Sequence, residues 1–436
     1  MQLLKSRQEQ LNEKSVVQIP SGAGFWRKFL AFFGPGLLIA VGYMDPGNWA
    51  TDLAAGAQFG YTLLVVVLCS NLLAILFQYL ALKLGIVTGS DLAQACRNNY
   101  SRPVTLILWF LCEIAIIACD LAEVIGSAVA LNLLFGLPLV AGIVITGLDV
   151  FVILALQNKG FRSLEVVIGG LITIIAGVFI YELVVARPEW GAVAAGLMPR
   201  VDIVVNPAML YVSIGILGAT VMPHNLYLHS SIVQTRAFRR DDNGRSMAIK
   251  FATFDTLASL GVAFFINAAI LVLSAAAFHG TVNQNVADIS DAYRLLAPTL
   301  GAALASVLFA VALLASGQSS TMTGTLAGQI VMEGFLDIRL RPWVRRIITR
   351  SLAIIPAVCV ALWLGPRGIG QMLVLSQVIL SFQLAFAVIP LVMFTSDPGL
   401  MGRFVNGTII KILGWAGCGL IVILNLYLIL QAVRNV

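Results

Sequence analysis

Two groups of cation-binding residues sit at helix-breaking points in an apolar chain. Asp45-Pro46-Gly47-Asn48 interrupts the first long apolar stretch, and Met222-Pro223-His224-Asn225 interrupts a later one. Proline removes a backbone donor and clashes with the preceding turn, and glycine is a poor helix former. A carboxylate inside a membrane span is costly unless it faces protein, water or an ion. Irregular backbone at that depth is tolerated only where it is buried in protein or lines a cavity. The first break offers a hard anionic oxygen from Asp45 and an amide oxygen from Asn48. The second offers the neutral thioether of Met222. Carbonyls near Gly42 and Ala219 are candidates for release by the breaks. The set is a mixed oxygen–sulfur site with one formal negative charge.

The elements that must position these groups are membrane helices. The chain has 436 residues, of which 59% are hydrophobic and 11% charged, against roughly 25% charged in soluble domains. Apolar runs of about 20 residues recur along its length, so an all-α polytopic membrane protein is expected. Eleven transmembrane helices are expected, at 30–57, 62–86, 104–134, 138–157, 164–186, 207–234, 251–279, 299–334, 343–364, 368–395 and 406–433. With the N-terminus in the cytoplasm, all but five of the 27 lysines and arginines fall on the inner side, the exceptions being Arg187, Arg200, Arg294, Arg367 and Arg434. That asymmetry satisfies the positive-inside rule, and the odd number of spans puts the C-terminus outside. The loop near 280–292 holds Asp288 and Asp291 and no Lys or Arg.

Residues 1–29 are polar and read as a cytoplasmic tail with no cleavable signal. Residues 30–436 read as one transmembrane domain. The net charge of +6 does not point to nucleic acid, because the basic residues lie between spans. The six cysteines are scattered and no pair has metal-site spacing. No cofactor and no obligate protein partner are expected. The expected partners are ions and the lipid bilayer of a cell (inner) membrane.

The two breaks align at an offset of 177 residues: Pro46 meets Pro223, Asn48 meets Asn225, and Gly42 meets Ala219. The first half, about 30–186, starts from the inside. The second, about 207–395, starts after five spans and is inverted, with an eleventh helix at 406–433. Inverted halves with discontinuous first helices are the architecture of many secondary transporters, with the site at the midplane. A methionine in a membrane helix is ordinarily a packing residue. Met222, however, directly precedes the helix-breaking proline and aligns with Asp45. Oxygen ligands alone suit Mg²⁺ or Ca²⁺, whereas a sulfur ligand favours a transition metal.

Asp45-Pro46-Gly47-Asn48 together with Met222-Pro223-His224 resembles the signature of the Nramp family of divalent metal transporters. Further segments agree: Gly218-Ala219-Thr220-Val221, Leu228-His229-Ser230, Asp120-Leu121-Ala122-Glu123 and Ser376-Gln377-Val378. The resemblance covers nearly the whole chain. It implies a LeuT-like fold with discontinuous helices 1 and 6, and proton-coupled import of Mn²⁺ or Fe²⁺. It also implies Asp45, Asn48 and Met222 as metal ligands, joined in different states by the carbonyls of Gly42 and Ala219 and by Gln377 of the tenth span. Asn225 departs from the valine of many bacterial relatives, and no role is assigned to it.

A proton route is expected from the remaining buried polar groups, together with Asp45 itself. His229 lies seven residues after Met222, two turns along the same face, and histidine titrates nearest physiological pH. Glu113, Asp120 and Glu123 fall on one stripe of the third span, where lipid exposure would cost a few kcal/mol each. Arg345 and Arg346, near the cytoplasmic end of the ninth span, offer counter-charges, although they also satisfy the positive-inside rule. Asp149 in the fourth span is a further buried acid without an assigned role.

Three rival readings carry less weight. A sodium-coupled symporter of organic solutes would aim helix N-termini at a substrate carboxylate, usually through glycine-rich breaks. A Mg²⁺-type carrier would replace Met222 by an oxygen or small residue. An enzyme is disfavoured because no His-Glu-x-x-His motif occurs, and no Gly-x-x-x-x-Gly-Lys loop suggests direct drive by ATP.

Overall fold

The apolar runs fold as long helices, since within a bilayer each segment must satisfy its own backbone hydrogen bonds. The computed structural model describes residues 17–18, 24–148, 161–281, 289–300, 303–338, 342–363 and 365–434. Asp149 and Asp288 lie outside the described residues. The first half contains α1 (Phe25–Phe32), α2 (Pro35–Gly42), α3 (Pro46–Phe59), α4 (Leu64–Thr88), α5 (Leu92–Asn99), α6 (Arg102–Phe135), α7 (Leu139–Thr146) and α8 (Phe161–Ala186). Short helices α9 (Trp190–Ala195) and α10 (Asp202–Val205) lead into α11 (Pro207–Thr220), α12 (Pro223–Ile232) and α13 (Asp242–Phe278). The chain continues with α14 (Ile289–Leu300), α15 (Ala303–Leu336), α16 (Pro342–Trp363), α17 (Gly365–Thr395), α18 (Pro398–Met401) and α19 (Thr408–Arg434). Two two-residue strands, β1 (Val17–Gln18) and β2 (Arg236–Ala237), pair in parallel.

Among the described residues, eight helical segments are long and apolar enough to cross a membrane: α4, α6, α8, the α11–α12 pair, α13, α15, α17 and α19. Of the other three expected spans, the first is divided into α2 and α3, each too short to count alone. The fourth is represented by α7, because residues 149–160 lie outside the described part. The ninth is α16, whose apolar stretch is Ile347–Cys359.

Two boundaries differ from expectation. Helix α13 begins nine residues before the expected start at 251, because Asp241 caps it by accepting from the Gly244 amide at 2.9 Å. Its first turns are polar and project beyond the apolar span. A second interruption, at Phe33–Gly34, separates α1 from α2. Gly34 has φ +140°, and a Cβ there would collide with the Glu165 carboxylate. Hydropathy does not register that break, since every residue around it is apolar or small.

Helices α6 and α15 make the most extensive helix–helix contact, and α13 packs along α2, α3 and α4. Trp49 is fully buried at the base of α3 and wedged edge-on between Phe179 of α8 and Phe309 of α15, with ring centroids 4.8 and 5.2 Å away. Such aromatic pairs contribute about 0.5–1.5 kcal/mol each beyond area burial, so α3 is anchored to both neighbours.

The N-terminal end of the first broken helix is held by charge. Arg236 donates to Glu165 at 2.6 Å and to the Phe33 carbonyl at 3.2 Å. Arg162 donates to the same carbonyl and to Glu165, each at 3.0 Å. Asp255 accepts from the amides of Gly34 and Gly36 at 3.2 and 2.7 Å, satisfying donors exposed at the start of α2. Removing one partner of a buried ion pair costs about 3–5 kcal/mol. Arg236→Ala is therefore expected to loosen this end. A cysteine introduced as Leu38→Cys should then react several-fold faster with a maleimide applied from the cytoplasmic side than in the otherwise unchanged protein. Equal rates would show that the ion pairs do not hold the N-terminal end closed.

Candidate metal centre

Each proline acts on the carbonyl one turn before it. In an α-helix the amide of residue 46 would serve the carbonyl of Gly42, and that of residue 223 the carbonyl of Ala219, but proline has no N–H. Helix α2 accordingly stops at Gly42 and α3 restarts at Pro46, while α11 stops at Thr220 and α12 restarts at Pro223. Asp45 and Met222, the residues before the prolines, are extended, with ψ 166° and 121°, as the pre-proline position favours. Asp45 caps α3, its Oδ1 accepting from the Asn48 amide at 2.8 Å. Met222 occupies the same capping position in α12 without a capping bond.

The unwound stretch of the first break is pinned by its neighbours. Asn267 of α13 donates to the Tyr43 carbonyl at 2.8 Å, and the Trp49 indole donates to the Met44 carbonyl at 3.1 Å. Ser316 of α15 also donates to Met44. The tenth span closes in because Gly47 has no side chain: a Cβ there would collide with the Gln377 amide.

The set is enclosed. Asp45, Asn48, Ala219, Met222 and Gln377 are all at most 1% exposed, so the centre is occluded from both faces. Asp45 Oδ2, Asn48 Oδ1 and Gln377 Oε1 have no hydrogen-bond partner among the described residues. Three orphaned buried oxygens are unusual, because leaving such groups unsatisfied costs about 1–3 kcal/mol each, and more for a charge. A cation offsets that cost. Among the described residues no group of three or more His, Cys, Asp and Glu is placed to hold a metal ion. The donors that the two breaks offer are one carboxylate, amide oxygens and a thioether.

The acid stripe of α6 meets an arginine that sequence reasoning missed. Asp120 and Glu123 are buried, and Arg350 of α16 lies 3.7 Å from Asp120 Oδ1 and 3.6 Å from Glu123 Oε2. Arg350 also donates to Thr321 of α15 at 3.1 Å. Arg345 and Arg346 lie on the same helix, about one turn earlier, and their side chains fall outside the described part. The signal for Arg350 was its position one turn deeper in an apolar span, where a cation needs a buried partner. Cys119 donates to Glu123 at 3.6 Å and shares a small apolar cluster with Met222. Glu113 is half-buried and accepts from the Trp109 indole at 3.1 Å.

His229 belongs to a different branch. Its Nδ1 lies 2.8 Å from Gln78 Oε1, and Gln78 Nε2 donates to the Tyr43 hydroxyl at 2.8 Å. This chain ties the second broken helix to the unwound end of the first through α4. With Gln78 accepting at Oε1, His229 carries its proton on Nδ1, and its Nε2 has no partner among the described residues.

Two helices broken at matched positions around a buried cation centre define a secondary transporter of LeuT-like architecture. The crystal structure of MhsT in complex with L-phenylalanine is similar in fold alone, with a TM-score of 0.62 at 15% identity over 91% of this chain and 98% of that one. The model of the family described as natural resistance-associated macrophage protein-like (Nramp) matches residues 36–431. A divalent metal cation transporter MntH of Listeria monocytogenes is 60% identical over 419 residues, 96% of this chain and 94% of that protein. A crystal structure of a variant of the Eremococcus coleocola manganese transporter matches with a TM-score of 0.88 and 42% identity, covering 95% of this chain and 89% of that one. The chain belongs to the Nramp family. It is a multi-pass membrane transporter and not an enzyme.

Arg350→Ala would leave Asp120 and Glu123 as adjacent buried acids without their cation, and should lower stability by about 3–5 kcal/mol. Adding Asp120→Asn to that variant should recover part of the loss. Thermal unfolding in detergent measures both, and strictly additive losses would mean that the arginine and the acid are not coupled.

Proposed function

We propose that this transporter imports divalent transition metals, chiefly Mn²⁺ and Fe²⁺, together with protons, by alternating access around the two broken helices. The observation that carries the reading is that Asp45, Asn48, Met222 and Gln377 are all buried at or against the two breaks, with Asp45 Oδ2, Asn48 Oδ1 and Gln377 Oε1 left without partners among the described residues. One carboxylate and several neutral oxygens hold a dication without trapping it. The sulfur disfavours Mg²⁺ and Ca²⁺, which are far more abundant. The Listeria relative is a protein named as a divalent metal cation transporter and the Eremococcus relative one named as a manganese transporter, which agrees with metal cargo.

Proton movement is assigned to the buried polar groups. A dication beside Asp45 favours its charged carboxylate, so metal arrival is linked to a proton leaving. The acceptors offered are the Asp120–Glu123–Arg350 group on one side and the Tyr43–Gln78–His229 chain on the other. Glu113, Arg345 and Arg346 lie farther along the first of these routes. The metal leaves by a separate inner vestibule when the contacts of Arg236, Glu165 and Asp255 around Gly34 release. Residues 30–436 then act as one transport unit in a cell membrane, with the N-terminus cytoplasmic and the C-terminus outside.

Purified protein in proteoliposomes, with Mn²⁺ uptake and internal pH recorded together, tests the reading. Asp45→Ala should abolish saturable Mn²⁺ uptake; uptake at the parent rate would remove the site assignment. Met222→Ala should retain Mn²⁺ binding but lose discrimination against Ca²⁺ by about tenfold or more, a change of at least ~1.4 kcal/mol. Unchanged discrimination would end the sulfur argument. Glu123→Gln and His229→Ala are each expected to reduce proton flux per metal, and if both leave it intact neither branch is the route.

A further inference from the structure

Asn225 was singled out by its match to Asn48 in the repeat and remains outside every role assigned above. Its side chain is fully buried. It lies one turn into α12 from Met222, and its Nδ2 approaches Met222 Sδ at 3.7 Å. Its Oδ1 has no hydrogen-bond partner among the described residues. On the other side it abuts the first break: a Cβ on Gly42 would collide with the Asn225 amide. The carboxamide is thus lodged between the sulfur and a carbonyl-bearing residue of the same centre, with an orphaned oxygen.

Neither bland role accounts for that placement. As a packing residue, an asparagine leaves an oxygen unsatisfied that an apolar side chain of similar volume would not. As a holder of Met222 it is weak, because a thioether is a poor acceptor. The orphaned oxygen is explained if it takes a ligand, and the ligand of this centre is a cation. The amide nitrogen lies against both Met222 and Gly42, with Oδ1 also close to the Gly42 position and left free to take a ligand. A thioether has a second lone pair, so Met222 can bind metal and still accept from Nδ2.

We propose that Asn225 is a further metal ligand, supplying a second asparagine oxygen that shifts the centre toward harder divalent ions. This rests on the reading of the centre as a metal site. Mn²⁺ draws more of its binding from oxygen donors, and Cd²⁺ more from sulfur. Losing an oxygen ligand therefore weakens Mn²⁺ more than Cd²⁺.

The test compares KM for Mn²⁺ and for Cd²⁺ in proteoliposomes bearing the parent protein, Asn225→Ala or Asn225→Asp. Asn225→Ala should raise KM for Mn²⁺ about tenfold or more and KM for Cd²⁺ by much less. Asn225→Asp, which keeps an oxygen at that place, should restore Mn²⁺ affinity. Equal changes for both metals, or none, would overturn the ligand role while leaving the metal site standing. A parent protein that carries neither metal would overturn both. Anomalous scattering from Mn²⁺ in crystals of the unmodified protein gives an answer independent of how the variants fold. The Mn²⁺ peak is expected at ligand distance from Asn225 Oδ1, about 2.0–2.6 Å as for other hard divalent ions. A gap too wide for any direct bond would refute the assignment.

Discussion

A backbone carbonyl buried at membrane depth without a donor is costly, and Pro46 and Pro223 create that situation at Gly42 and Ala219. The surroundings are arranged around it. The next carbonyls along the first break, those of Tyr43 and Met44, are taken up by Asn267, Ser316 and the Trp49 indole. The carbonyls of Gly42 and Ala219 are the ones whose helical donors the prolines removed, and Asp45 Oδ2, Asn48 Oδ1 and Gln377 Oε1 have no hydrogen-bond partner among the described residues. Neutral dipoles and one carboxylate left in this state are stabilised together by a single cation. The unwinding of the helices and the affinity for an ion are thus two consequences of one missing donor, repeated in each half.

Asp45 is the one formally negative side chain among the donors carried by the two breaks. Several other buried acids are paired or tied elsewhere, although Asp52, farther along α3 from Asp45, keeps an unpartnered Oδ2. Asp120 and Glu123 share Arg350, and Glu165 is paired with Arg236 and Arg162. Asp255 accepts from two amides at the start of α2. A second unpaired carboxylate in the centre would hold a dication too tightly for release and would favour Ca²⁺. The sulfur of Met222 does the opposite, adding selectivity without charge. Polar contacts at Gly34 and the wedged Trp49 restrain the first broken helix on either side of its break. Between them, at Tyr43–Met44, the regular α-helical ladder gives way to shorter i→i−3 bonds.

The polar chain from Tyr43 through Gln78 to His229 links the two breaks through a helix that belongs to neither. Tyr43 is at the C-terminal end of α2 and His229 near the end of α12, so a change in one half alters a hydrogen bond felt by the other. The Arg350 group sits on the opposite flank, where α6, α15 and α16 meet. Two polar branches thus lead away from the breaks along different helix packings.

The sequence by itself determined the class of fold, the two breaks, and the types of donor they carry. Those features are local: proline, glycine and an acid in an apolar run are expensive wherever the run ends up, and matched expense at an offset of 177 residues is readable without coordinates. Only the tertiary structure decided which groups meet. Arg350 faces the acids, because helix packing sets which turn of α16 meets α6. Gln78 and Tyr43 join His229, although nothing in their own segments marks them as polar partners. The Gly34 interruption was invisible to hydropathy, since its cause is a positive φ and the approach of Glu165 from α8. Asn225 was visible as half of a symmetric pair, but its lodging between Met222 and Gly42 depends on two helices crossing at their breaks, a distance no one-dimensional pattern contains.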